Sequence, residues 1–171
     1  MAEKRYEDVV PGQNRAKRML AGVVFWFLGR GFQAAAALDR SIQEEIAGWP
    51  ESFTMLMKIE PRGPYMAMGK RKGKFIYLGS REREAHLSVN FKNIDAALRV
   101  LLGLDGIDQA FAEHRLAMKG DIIACGMPLT RCLYRVEAYL FPSFMARRIL
   151  KKMPEKRTGT LRVYIKTLFN I

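Results

Sequence analysis

Between residues 53 and 91 the chain changes its hydrophobic period, and that change limits the fold more than any other feature. Phe53, Met55, Met57 and Ile59 alternate with Thr54, Lys58 and Glu60, the period of two that a half-buried strand requires. Pro61-Arg62-Gly63-Pro64 makes a turn, and Tyr65-Met66-Ala67-Met68 supplies a second strand. Lys70-Arg71-Lys72-Gly73 reads as a hairpin tip, with Phe75-Ile76-Tyr77-Leu78 returning from it. After a charged turn from Gly79 to Glu84, His86-Leu87-Ser88-Val89-Asn90-Phe91 alternates again. Connections this short join antiparallel neighbours.

Helical spacing brackets these strands. Ile94, Ala97, Leu98, Leu101 and Leu102 share one face behind Asn93 as N-cap, and Gly103 stops that helix. A short helix covers about 106–113, and Leu116-Ala117-Met118 forms a fifth strand closed by Gly120. Asp121 caps a further helix carrying Ile122, Cys125, Leu129, Cys132, Leu133, Val136 and Leu140 at helical intervals. Towards the N-terminus, residues 1–14 read as a flexible arm and 15–50 as two helices broken at Gly29 and Gly31. Towards the C-terminus, 141–171 reads as a basic helix from Pro142 to about Lys152, then a terminal strand. In that strand Leu161, Val163 and Ile165 alternate with Arg162, Tyr164 and Lys166.

The fifth strand arrives after a helical crossover, so the sheet can be mixed. The expected fold class is α+β: a five-stranded mixed, mostly antiparallel sheet covered by helices, with an N-terminal helical extension. Residues 15–171 form a single domain. The order of elements excludes a doubly wound nucleotide-binding sheet.

Charge adds a second constraint. The chain has 29 Lys and Arg against 17 Asp and Glu, a net +12. Three segments, 15–18, 69–84 and 140–157, carry all of it, and the remainder sums to zero. Clustered positive charge suits an anionic partner: nucleic acid, lipid headgroups or an anionic ligand. The longest apolar run, Met19 to Leu28, is about half a membrane span. Bases before it and the alanines 34–37 after it imitate a secretory leader, but Glu3, Glu7 and Asp8 and the position of those alanines beyond Arg30 do not fit one. The expectation is a cytoplasmic protein, at most peripheral to a membrane.

Catalytic constellations are lacking in the sequence. His86 and His114 are 28 positions apart and have no partner at metal-ligand spacing. Cys125 and Cys132 are seven apart on one helix, about 10.5 Å along its axis, which is too far for a disulfide. Gly69-Lys70-Arg71-Lys72-Gly73-Lys74 has neither phosphate-loop spacing nor a helix after it. No enzyme, cofactor or metal is argued by these residues. In contrast, ten Met and ten Phe are abundant, and Met55, Met57, Met66, Met68, Met118 and Met127 fall on strands or at a helix start facing them. Thioether side chains suit a cavity that must adapt to an apolar guest.

At residues 85–140 the pieces line up as a pattern. LSVNFKNIDAALRVLLG, a short helix, then HRLAMKGDIIACGMPLTRCL, with a strand ending in Gly120-Asp121, resembles the sterol carrier protein-2 (SCP2) sterol-binding domain family. The hairpins at 53–78 fit that family's first strands, so the resemblance covers about 52–140. It implies a hydrophobic tunnel between sheet and helices, and non-enzymatic carriage of a lipid, fatty acyl or isoprenoid ligand. The expected wall residues are Met55, Met57, Met66, Met68, Tyr77, Val89, Leu98, Leu102, Met118, Met127, Leu129 and Leu133. Lys70, Arg71, Lys72, Lys74, Arg147, Arg148, Lys151 and Lys152 are expected to meet anionic membranes or headgroups. Residues 15–50 and 141–171 lie outside the resemblance and could plug the tunnel or add a docking surface. Two other functions fit the residues less well. One is nucleic-acid binding through hairpin 70–74 and helix 142–157. The other is an interaction subunit that docks through the helices of 15–48 and a strand at 161–169.

Overall fold

The computed structural model describes residues 14–150, 154, 156 and 158–169. Lys151, Lys152 and all of the expected arm except Asn14 are outside the described residues. In chain order the elements are α1 (Arg15–Leu38), α2 (Arg40–Ala47), β1 (Thr54–Ile59), β2 (Tyr65–Arg71), β3 (Lys74–Gly79) and β4 (Leu87–Phe91). Next come α3 (Ile94–Leu101), α4 (Ile107–Ala112), β5 (Leu116–Gly120), a π-helical turn (Ile122–Gly126), α5 (Met127–Leu140), α6 (Ser143–Ile149) and α7 (Thr160–Phe169).

The five strands form one sheet in the order β3-β2-β1-β4-β5. β1 and β4 are parallel and every other pair is antiparallel. Register places Met55 opposite Met68 and Leu87, Met57 opposite Met66 and Val89, and Val89 opposite Met118. Because side chains alternate along a strand, these residues share the face that the helices cover. The β2–β3 tip takes positive φ at Lys72 and Gly73, as a two-residue hairpin loop demands. Asn93 and Asp121 cap as their sequence positions suggest: their side chains accept from the N–H groups of Ala96 and Ala124, both at 2.8 Å.

The two halves of the N-terminal helical region meet elsewhere than at the glycines. α1 runs unbroken for 24 residues through Gly29 and Gly31, and the chain turns at Asp39. That residue is fully buried and extended (φ −102°, ψ 111°). Its carboxylate accepts from the Ser41 N–H at 2.8 Å, capping α2, and from the Tyr139 hydroxyl of α5 at 2.7 Å. The glycines serve close contact instead. A Cβ on Gly29 would lie 2.5 Å from the Tyr77 ring, and one on Gly31 would lie 2.5 Å from Leu140. Asn14, expected in the arm, is the N-cap of α1, accepting from the Lys17 N–H at 3.1 Å.

α1 is therefore part of the core and not an appendage. Ala21, Phe25, Gly29, Phe32 and Ala36 are buried at helical intervals, and the helix packs on β2 and β3 and against α3, α5 and α7. It is long and apolar enough to cross a membrane by length and composition, yet in this fold it covers the sheet. One face of α1 is taken up by that packing, while Met19, Leu20, Val23 and Trp26 stay exposed on the other.

The expected terminal strand is also overturned. Residues 160–169 are helical, with Val163 and Thr167 buried one turn apart. The Tyr164 ring sits 6.2 Å from Phe27, and Arg30 donates to the Thr167 carbonyl at 3.2 Å. Residues 163, 164 and 167 share the helical face that meets α1, while Leu161, Ile165 and Leu168, the apolar stripe that imitates strand alternation, are exposed. Packing against α1 selects the helix. The helix expected from Asp121 begins as a wide turn, in which Cys125 and Gly126 both donate to the Asp121 carbonyl at 3.1 Å. Pro128 follows, with no N–H to give and a ring that crowds the carbonyl four residues back.

Replacing Gly29 tests the α1–sheet contact. Gly29→Val should lower stability by about 2 kcal/mol or more, because overpacking exceeds the gain in helix propensity. Gly48→Ala, where an added Cβ meets nothing within 4 Å, should change it by less than about 0.5 kcal/mol. Urea midpoints of the two variants against the parent chain provide the measurement.

Candidate functional site

Where α1 leaves the sheet, its side chains and those of α3, α4 and α5 enclose a cavity of about 50 Å³ over β1 and β4. The inner wall is made of Met57, Phe91, Val100, Leu101, Leu133 and Leu140, all buried. Val24, Phe27, Leu28 and Phe141, all half-buried, form the outer side. Each helix contributes by simple spacing: residues 24, 27 and 28 share a face of α1, and residues 133, 137 and 140 share a face of α5. α7 lies over this outer side. Tyr164 touches the Phe27 ring and donates its hydroxyl to the Leu140 carbonyl at 2.6 Å. A water molecule needs roughly 10–15 Å³ on this scale, so the space suits a short alkyl segment and must widen for a longer one. Met57 is the wall residue that can move most cheaply.

One lining residue breaks the apolar pattern. Glu137 is 8% exposed, and its Oε2 is buried without a hydrogen-bond partner. Burial, reinforced by the Asp108 carboxylate of α4, pushes its carboxyl up to about 8. The nearby Tyr134 hydroxyl, one turn back on α5, is also raised, by burial first and then by Asp108 and Glu137. At neutral pH Glu137 is therefore a neutral acid, able to donate as well as accept.

A second apolar hollow, of about 220 Å³, opens on the other side of α4. Met118, Ile122, Met127 and Phe111 line it. Ile107 lines both spaces.

Of the expected wall residues, Met57 and Leu133 line the main cavity, and Met118 and Met127 line the second hollow. Met55, Met66, Met68, Val89, Leu98 and Leu129 are buried in the packed core instead. Leu102 and Tyr77 are half-buried against that core, and Tyr77 is held beside Gly29. Met127 is 56% exposed, so it can wall only the open hollow. Glu137 is absent from the expected wall because it sits in a polar-looking stretch. Its signal is position: it occupies the same helical stripe as Leu133 and Leu140, where a carboxylate is out of place.

The expected cationic contacts divide sharply. Lys70 is buried and donates to the carbonyls of Ala47 at 3.0 Å and Trp49 at 2.8 Å, closing the end of α2. Arg71 donates to the Phe53 carbonyl at 3.0 Å and to the Thr54 hydroxyl at 3.0 Å. Both side chains thus have hydrogen-bond partners within the fold. Lys72, Lys74 and Arg147 are exposed, and Arg148 belongs to α6. Elsewhere, the His86 Nδ1 accepts from the Thr54 N–H at 3.2 Å, Cys125 and Cys132 are free and buried, and burial pushes the Cys132 thiol up to about 12. Among the described residues, no three His, Cys, Asp or Glu side chains gather as a metal site.

No protein-family model and no curated protein matches the chain. Solved structures do. The chain resembles SCP2-type structures. One is a UbiJ-SCP2 ubiquinone synthesis protein, 15% identical, covering 74% of this chain and 100% of that one, with a TM-score of 0.40. Another is the conserved hypothetical protein TT1886 from Thermus thermophilus, whose description suggests a sterol carrier. It is 14% identical, covers 77% of this chain and 91% of that one, and has a TM-score of 0.47. A third is sterol carrier protein 2 like 2 from Aedes aegypti, 10% identical, covering 57% of this chain and 94% of that one, with a TM-score of 0.34.

The buried acid carries a pH signature. In the unfolded chain a glutamate titrates near 4.5, whereas Glu137 in the folded chain holds its proton to about 8. The folded state thus binds more protons between these values, and its stability falls as pH rises through that window, by up to about 1.4 kcal/mol per pH unit. Urea midpoints at pH 5 and pH 8 should separate in the parent chain and draw together in Glu137→Gln.

Proposed function

We propose that the protein is a non-enzymatic, cytoplasmic carrier of an apolar ligand of lipid, fatty acyl or isoprenoid type. The ligand is held between the sheet and α1, α3 and α5. The cavity at Met57, Leu133 and Phe27 is the single observation that carries this reading, because its walls are apolar except at Glu137 and its outer side is only half-buried. Burying the ligand's hydrocarbon drives binding, at about 0.8 kcal/mol per methylene. The second hollow behind Ile107 supplies room for a longer chain.

The surface beside the cavity supports loading at a membrane. Met19, Val23 and Trp26 are exposed on α1, next in sequence to cavity residues Val24 and Phe27, and Arg15 is exposed at the start of that helix. On α6, Phe144 is 75% exposed beside Arg147. Aromatic side chains inserted among lipid tails, with Arg15 and Arg147 at acidic headgroups, fit an interfacial contact, and the exposed hairpin lysines 72 and 74, beside Ala36 and Ala37 at the other end of α1, supply a separate basic patch.

Displacement of a fluorescent apolar dye by primary alcohols of increasing length tests the carrier. Affinity should rise about fourfold per methylene and then level off. Ile107→Ala should move the levelling point to longer chains, and Leu133→Trp should abolish uptake by filling the cavity. If no alcohol of any length displaces dye or binds in native mass spectrometry, the carrier reading is wrong.

Vesicle flotation tests the surface. The parent chain should float with vesicles containing phosphatidylserine, and not with pure phosphatidylcholine. The combined change Lys72→Glu, Lys74→Glu and Arg147→Glu should cut recovery at least severalfold. Equal flotation with both vesicles would argue against headgroup selection.

A further inference from the structure

The carrier reading leaves one question about the ligand's polar end, and Glu137 answers it. We infer that the cavity selects an amphiphile whose head is a neutral oxygen, an alcohol or a carbonyl, which hydrogen-bonds the Glu137 carboxyl at the inner end of the space. This inference rests on the carrier reading and deepens it.

The geometry is specific. Glu137 stands in the last turn of α5, between Leu133 and Leu140, and lines a space whose other described lining residues are all apolar. Its Oε2 has no hydrogen-bond partner and is shut away from solvent. An unpaired polar atom in such a place costs free energy, and native folds rarely retain one without a use. A ligand atom that completes the bond recovers that cost, whereas a plain hydrocarbon leaves it standing.

Charge decides which head fits. The groups facing this carboxyl are Asp108 from α4 and Tyr134 from α5, and neither supplies a positive charge. Val24, Phe27 and Leu28 from α1, Val100 and Leu101 from α3, and Met57 and Phe91 from the sheet are all uncharged. An ionised fatty acid would therefore meet a protonated acid in a space whose described lining carries no cation. An amine would have to ionise Glu137 and form an ion pair in an apolar cavity, where desolvation offsets most of the attraction. A hydroxyl or carbonyl needs neither change. The protonated carboxyl donates to a carbonyl, and it can both donate to and accept from an alcohol.

A set of unbranched ligands of ten to twelve carbons separates the possibilities: decanol, decyl methyl ketone, dodecane, decanoate and decylamine. Affinities are measured at pH 7 by dye displacement, for the parent chain, Glu137→Leu and Glu137→Gln. The quantity compared is each ligand's affinity relative to dodecane, because comparing that ratio between variants removes the ligands' different hydration. The ratio for decanol and for the ketone should fall at least tenfold in Glu137→Leu. Glu137→Gln, which still donates and accepts, should retain most of it. A readout independent of variant folding is the infrared C=O stretch of the protonated carboxyl in the parent chain, which should shift when decanol binds and stay fixed with dodecane. Dodecane binding with an unchanged decanol ratio in Glu137→Leu, and no infrared shift, overturns this inference while leaving the carrier intact. Tighter binding of decanoate or decylamine than of decanol in the parent chain overturns it too. Failure of every ligand, dodecane included, removes the carrier reading and this inference with it.

Discussion

A helix can press closely on a sheet only where one of the two surfaces gives way, and here α1 gives way at Gly29. Any side chain at that position would enter the Tyr77 ring and approach the Met66 sulfur. With none, α1 settles over β2 and β3 and fixes the height of everything stacked on it. Gly31 does the same for Leu140 on α5. Beyond those two contacts, residues 24, 27 and 28 line the space over β1 and β4 with Met57 and Phe91. Apart from Glu137, the cavity's lining is the same apolar material as the core beside it.

Polar connections hold this arrangement from the outside. Asp39 binds Ser41 and Tyr139 together at the corner between α1 and α2. Lys17 pairs with Asp95 of α3, and Arg131 of α5 pairs with Glu45 of α2 through two bonds of 2.7 Å. The last two pairs are largely solvent-exposed, so each contributes little by itself and mainly fixes orientation. Asp39 differs, because a fully buried carboxylate robbed of its hydroxyl partner would be left uncompensated.

The strands are legible in the sequence because their signal is local. Alternation at 53–59 and 87–91 assigns Met55, Met57, Val89 and Phe91 to one face whatever else the chain does, and the helix caps at Asn93 and Asp121 are equally local. What escapes are features set by distant partners. Gly29 reads as a helix breaker until the Tyr77 ring, far along the chain, is placed against it. Residues 161–169 satisfy both periods, and only α1 chooses between them. Lys70 and Arg71 look like free charge because the carbonyls they close, at Ala47, Trp49 and Phe53, are not sequence neighbours. Among the proposed wall residues, parity on β1 and β2 is readable. Which methionines border empty space is not, since a void depends on how much its neighbours fill.

The seating of α7 on α1 has a consequence for how the chain comes into being. α1 leaves the ribosome before any strand does, yet its covers arrive later: the sheet is complete only with β5, and Tyr164 and Thr167 follow later still. Until then a long apolar helix is exposed to water with nothing native to bind, a state prone to aggregation or capture by chaperones. Chains cut short before residue 160 would keep every strand and still leave the Phe27 side of α1 uncovered. The order of translation therefore makes the docking of α7 the step that ends the chain's most vulnerable period.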